Sequence, residues 1–130
     1  MTASFTCSAQ PLGDSQLVTV TGELDLHTFR ELETRLGESL QVTPGCVLDL
    51  SDVTFMDSTA LGVLVAAHRH SITPLKVVTS DPRVLKVFRL TGLQDVFTMF
   101  CTREEALAAG GHAVRRERRA ASMKTADESE

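Results

Sequence analysis

No apolar run in this 130-residue chain reaches the roughly 20 residues that a membrane-spanning helix needs, and no membrane contact is expected. The N-terminal MTASFTCSAQ lacks a basic segment followed by an apolar one, so no secretory signal is read there. Positive charge is not in excess either. Thirteen Lys and Arg against 17 Asp and Glu leave a net charge of −4, which offers little to a phosphate backbone, and no direct nucleic-acid contact is expected. Cysteine is sparse: Cys7, Cys46 and Cys101 are odd in number, far apart and without C-x-x-C spacing. They read as free buried thiols of a reducing cytoplasm, and no metal is expected.

Catalytic signatures are missing too. The chain has no Walker loop, no G-x-G-x-x-G and no G-x-S-x-G elbow. His27, His68, His70 and His112 are the candidate bases. His68 lies about three helical turns from the nearest serine of interest, Ser58, too far to activate it, and reads as a histidine at the core edge. Neither catalysis nor a cofactor is expected on these grounds.

What is present is ordinary for a soluble globular protein: 42% hydrophobic and 23% charged residues, enough for one domain with one core. Residues 1–109 carry the patterning of that domain. Residues 110–130, GGHAVRRERRAASMKTADESE, have no apolar face and read as a disordered, solvated tail behind a Gly110-Gly111 hinge.

Within the domain the signals alternate. Phe5–Ser8 and Gln16–Thr21 read as strands joined by a turn at Pro11, Gly13 and Asp14, an antiparallel hairpin ended by Gly22. Phe29, Leu32, Leu36 and Leu40 form a helical stripe, with Thr28 and Glu31 as its capping box and Glu31–Arg35 as a surface pair worth about 0.3 kcal/mol. Val47–Leu50 is a buried strand and Ser51-Asp52 a turn pair. Leu61, Leu64, Val65 and His68 mark the next helix. Leu75–Thr79 is a strand. Asp81-Pro82 opens a third helix whose C′ residue is Gly92. Val96–Phe100 and Arg103–Ala109 complete the chain as strand and helix. Such alternation predicts an α/β fold with a mixed, mostly parallel sheet.

The centre of interest is Val47–His70. Ser58 falls at or next to the start of the helix, where a short hydroxyl can cap free N–H groups and where the helix dipole favours an anion. Asp57, Ser58 and Thr59 read as capping residues or as a place where a hydroxyl gains and loses phosphate.

The run DLSDVTFMDSTALGVLVAAHR resembles the signature of the STAS domain in the form seen in bacterial anti-sigma factor antagonists, F-M-D-S-S/T-G-L-G-V-L. Gly22-Glu23-Leu24-Asp25 and Phe88-Arg89-Leu90-Thr91-Gly92-Leu93 resemble two further landmarks, in order, so that the likeness covers residues 5–108. The resemblance implies a single STAS domain, a β-α superhelix with helices mainly on one sheet face. It implies that Ser58 is the phosphorylated serine, with Thr59 as fallback acceptor. It implies a partner-binding surface at Asp25, Asp57, Ser58, Thr59, Ala60 and Leu61. The implied partners are an anti-sigma factor that is itself a serine kinase, and a metal-dependent serine phosphatase. ATP and Mg²⁺ then belong to the kinase, and this chain needs no cofactor. Ala60 stands where the family usually has glycine, and its methyl is expected to hinder close approach of the kinase. A STAS subunit of a stressosome-like or lipid-transport assembly is the alternative with the same fold.

Overall fold

Two strands, β1 (Thr6–Leu12) and β2 (Ser15–Leu24), pair antiparallel across the Gly13-Asp14 turn. They run further than the alternation of apolar residues suggests. Pro11 lies within β1, at the sheet edge where its missing N–H costs no ladder bond. Gly22 does not end β2 but sits inside it at φ +95°, and a Cβ there would come within 3.0 Å of Phe5 Cα and Ser4 O. Only glycine meets both demands without strain.

The computed structural model describes residues 4–109; the tail expected at 110–130 lies outside the described residues. After the hairpin come α1 (Phe29–Val42), β3 (Cys46–Met56), α2 (Ser58–Arg69), β4 (Lys76–Val78), α3 (Pro82–Thr91), a 3₁₀ turn at Leu93–Asp95, β5 (Thr98–Phe100) and α4 (Arg103–Ala108). The five strands lie in the order β1-β2-β3-β4-β5, with β2 to β5 mutually parallel, so the sheet is mixed and mostly parallel as expected.

Successive strand residues face opposite sides, and the two faces carry separate apolar clusters. Val18, Val20, Leu48, Leu50 and Val77 meet Leu32 and Leu36 of α1, Leu61 and Leu64 of α2, and Val84 and Phe88 of α3. On the other face Leu17, Val47 and Val78 cluster with Ala106 of α4, and the half-buried Leu12 and Phe100 pack against them. Three helices thus cover one face and a short fourth covers the other.

Several local expectations change. Ser51-Asp52 is not a turn: β3 continues through it with two bulges, each placing one extra residue on β3 opposite β2. Leu50, Val53 and Met56 consequently enter the core at a spacing of three rather than two. Thr28 precedes α1 but makes no capping bond; its hydroxyl donates to Glu23 O at 2.8 Å and accepts from Asp25 N at 3.0 Å. Arg35 pairs with Glu38 at 3.8 Å, not with Glu31. Asp81 and Gly92 bound α3 as read: Asp81 Oδ1 accepts from Arg83 N, and Gly92 takes the left-handed φ of +75°. The α2 stripe is wider than read, since Ala60, Val63 and Ala67 are buried beside Leu61 and Leu64. Cys7 and Cys46 are free and buried, but Cys101 is exposed. Burial pushes the Cys46 thiol up to about 12, and burial, with Glu31 adding to it, pushes Cys7 up to about 11.

Candidate functional site

The parallel ladder between β2 and β3 ends at the pair Leu24–Met56 and is extended by one bond, from Asp57 N to Leu24 O at 3.1 Å. Asp25 and Asp57 are therefore the first residues beyond two neighbouring strands, at the same edge of the sheet. Loops at the carboxyl ends of parallel strands are where α/β folds place functional groups.

Each aspartate has a structural task. Asp25 Oδ1 accepts from His27 N at 2.8 Å and from Thr28 Oγ1 at 3.3 Å, and its carbonyl accepts from Thr28 N and Phe29 N. It shapes the turn into α1. Asp57 is extended, at φ −111° and ψ −178°, and its Oδ1 accepts from Ala60 N at 3.1 Å while its carbonyl accepts from Leu61 N. Of the three capping candidates Asp57, Ser58 and Thr59, it is Asp57 that is the N-cap of α2.

Ser58 is the first residue of α2; it is exposed and takes no part in the cap. Thr59 follows, half-buried. The hydroxyls sit where N–H groups of the first turn still lack partners, and an anion placed there meets the positive end of a 12-residue helix. Around them the exposed Leu26 and Phe55 add apolar surface from the two strand exits. Neither is among the site residues expected from the sequence, although Phe55 opens the F-M-D-S run.

Two expected contact residues do not belong to this surface. Ala60 is fully buried and Leu61 is 5% exposed, both in the main core cluster. The third and fourth positions of α2 turn inward because the Asp57 cap starts the helix at Ser58. The Ala60 methyl therefore points into the core, and the expected obstruction of an approaching kinase does not arise from it. The accessible surface is made by Asp25, Asp57, Ser58 and Thr59.

His68 is at the core edge, as read. Its ring meets Phe97 edge-on at 5.4 Å, its Nδ1 is buried without a hydrogen-bond partner among the described residues, and burial holds its pKa below the ordinary histidine range. Among the described residues no group of three or more His, Cys, Asp or Glu is arranged to hold a metal ion.

The STAS domain family model matches residues 9–106. The anti-sigma-B factor antagonist of Listeria monocytogenes is 39% identical over 82 residues, covering 59% of this chain and 71% of that protein. The anti-sigma-B factor antagonist of Staphylococcus aureus is 36% identical over 83 residues, covering 61% and 77%. Among solved structures, an anti-sigma factor antagonist from Mycobacterium paratuberculosis is similar with a TM-score of 0.78 and 32% identity, over 84% of this chain and 97% of that one.

Proposed function

The chain belongs to the STAS domain family, and on that premise we propose that it is an anti-sigma factor antagonist whose binding is switched at Ser58. In the unphosphorylated form it docks, through the strand-exit surface of Asp25, Asp57, Ser58 and Thr59, on an anti-sigma factor that is also a serine kinase, and so releases a sigma factor. The kinase transfers the γ-phosphoryl group of ATP to the Ser58 hydroxyl, which gives up its proton, and binding ends. A serine phosphatase hydrolyses the phosphoserine and restores the first state. The cycle operates in the cytoplasm.

The observation that carries this reading is the division of labour between Asp57 and Ser58. Asp57 caps the helix, so the Ser58 hydroxyl is exposed and unneeded by the fold. Phosphorylation adds nearly two negative charges there. The helix start favours them by about 0.3–1 kcal/mol, and the neighbouring Asp57 and Asp25 carboxylates oppose them. These effects offset within the domain, and the fold stays as it is. A partner packed on the same surface has no such compensation. Unmatched charge in a closed interface costs several kcal/mol, enough to reject it.

Incubation of the chain with an anti-sigma kinase of its own organism and Mg-ATP, followed by mass mapping, tests the assignment. Phosphate on Ser58 is expected; exclusive modification elsewhere than Ser58 or Thr59 contradicts it.

A further inference from the structure

Among the described residues the sheet face under α4 holds two buried charged side chains, and one of them has a partner there. Asp49 on β3 is matched by Arg103. Lys76 on β4 is 8% exposed, yet it forms no salt bridge and no side-chain hydrogen bond among the described residues. The Lys76 side chain is buried along its stem, while its ammonium is not among the buried unpartnered polar atoms and so keeps access to solvent; partial burial holds the Lys76 pKa below the ordinary lysine range.

Lys76 does not face packed protein. It lines a cavity of about 390 Å³ between the sheet, the β1–β2 turn and the end of α4. Val47, its register partner on β3, shares the floor. Leu12 and Asp14 stand on the hairpin side, Ala106 and Leu107 on the helix side. Val47 lies near the start of β3 whereas Ser58 follows its end, so the cavity is at the opposite end of the sheet from the phosphorylation site.

The lining sets the chemistry of an occupant. The volume is at the small end of the range for small-molecule sites. One cation at the floor asks for one anionic group, and a charge-assisted hydrogen bond to it is among the stronger single contacts a ligand can make. The aliphatic walls ask for a short apolar tail. The Asp14 carboxylate at the mouth repels multiply charged anions. We propose that this cavity binds a small aliphatic monocarboxylate, its carboxylate on Lys76 Nζ and its tail against Leu12, Val47 and Leu107.

Titration of the isotope-labelled full chain, followed by chemical shifts, tests this with three probes: isovalerate, 3-methylbutanol and inorganic phosphate. Isovalerate is expected to saturate and to move the signals of Lys76, Val47 and Leu107. The alcohol lacks the charge and phosphate lacks the tail, so each is expected to bind at least about tenfold more weakly. Lys76→Met is expected to weaken isovalerate by a similar factor while leaving the melting transition in place. Leu107→Asp, at a partly exposed wall position, adds a second carboxylate at the mouth and is expected to weaken it as well; this variant keeps the test open should Lys76→Met fail to fold. Ser58→Ala is expected to bind isovalerate like the native chain, so failure here and failure of the phosphorylation switch are separate results. No saturable isovalerate binding, or binding unchanged in both cavity variants, overturns the proposal.

Discussion

Arg103 sets both its Nε and its Nη2 on the same oxygen of Asp49, Oδ2, at 2.9 and 2.6 Å, across 54 residues of sequence. The other carboxylate oxygen accepts from the Ser51 amide at 2.9 Å and from the Ser51 hydroxyl. Asp49 therefore ties the first residue of α4 to β3 just before its first bulge. The apolar cluster beneath α4 is small, so this pair is a large share of what holds the helix down.

Arg103→Met is accordingly expected to destabilise the domain by about 1–3 kcal/mol, because it leaves a buried carboxylate with a lost partner. The Arg103 side chain is 43% exposed, which places the cost below that of a fully buried pair. Adding Asp49→Asn should recover part of the loss. Urea unfolding of the single and double variants reads both effects.

The same carboxylate gives a pH dependence. Burial alone pushes its pKa up, but the Ser51 hydroxyl and amide and the Arg103 guanidinium outweigh burial and hold it below the ordinary aspartate range. A depressed carboxylate stabilises the fold above its unfolded pKa, and that stabilisation is lost as the pH falls below about 4. His68 has the same sign in a different window. Its folded pKa is depressed by burial, so its contribution is present at pH 7 and falls away as the pH drops below about 6.5. His68→Phe keeps an aromatic ring near Phe97 and removes the titration. Its stability is expected to vary less between pH 7 and pH 5 than that of the native chain, in melts at matched ionic strength.

Gly22→Ala is expected to cost about 1–3 kcal/mol or more, since its φ of +95° is strained for alanine and the new methyl meets backbone atoms of Ser4 and Phe5 at 3.0 Å. Chemical denaturation measures it; a change within about 0.5 kcal/mol would show that the N-terminal segment gives way freely.

The cap assignment separates two adjacent residues. Asp57→Ala removes the bond to Ala60 N and is expected to cost about 0.5–2 kcal/mol. Ser58→Ala removes no capping bond and should stay within about 0.5 kcal/mol of the native chain. Thermal melts of the two variants check the difference.

Much of this architecture is legible in the sequence wherever local chemistry and global fold agree. The stripe of Leu32 and Leu36, the Asp81-Pro82 start and Gly92 end of α3, and the hairpin around Gly13 are local signals, and the structure follows them. The bulged stretch of β3 is different. Ser51-Asp52 has turn composition, and Leu50, Val53 and Met56 recur every third residue, so neither strand period nor strand composition is visible there. The site was legible in its position but not in its roles. D-S-T marks a helix start, yet which of the three residues caps it depends on where β3 ends, and that is fixed by its pairing with β2. The Asp49–Arg103 pair and the cavity lined by Lys76 rest on contacts between distant segments, and no local pattern announces them.

The proposed charge switch at Ser58, which acts on a partner and not on the fold, is tested by titration calorimetry of Ser58→Ala and Ser58→Asp against the purified anti-sigma kinase, with thermal melts of both variants. Aspartate carries less charge than phosphate but places it at the same helix start, beside Asp57. The expected result is that both variants melt close to the native chain, that the alanine form binds as tightly as the unphosphorylated chain, and that the aspartate form binds at least about tenfold more weakly. Equal affinity of two folded variants for the kinase would contradict the switch.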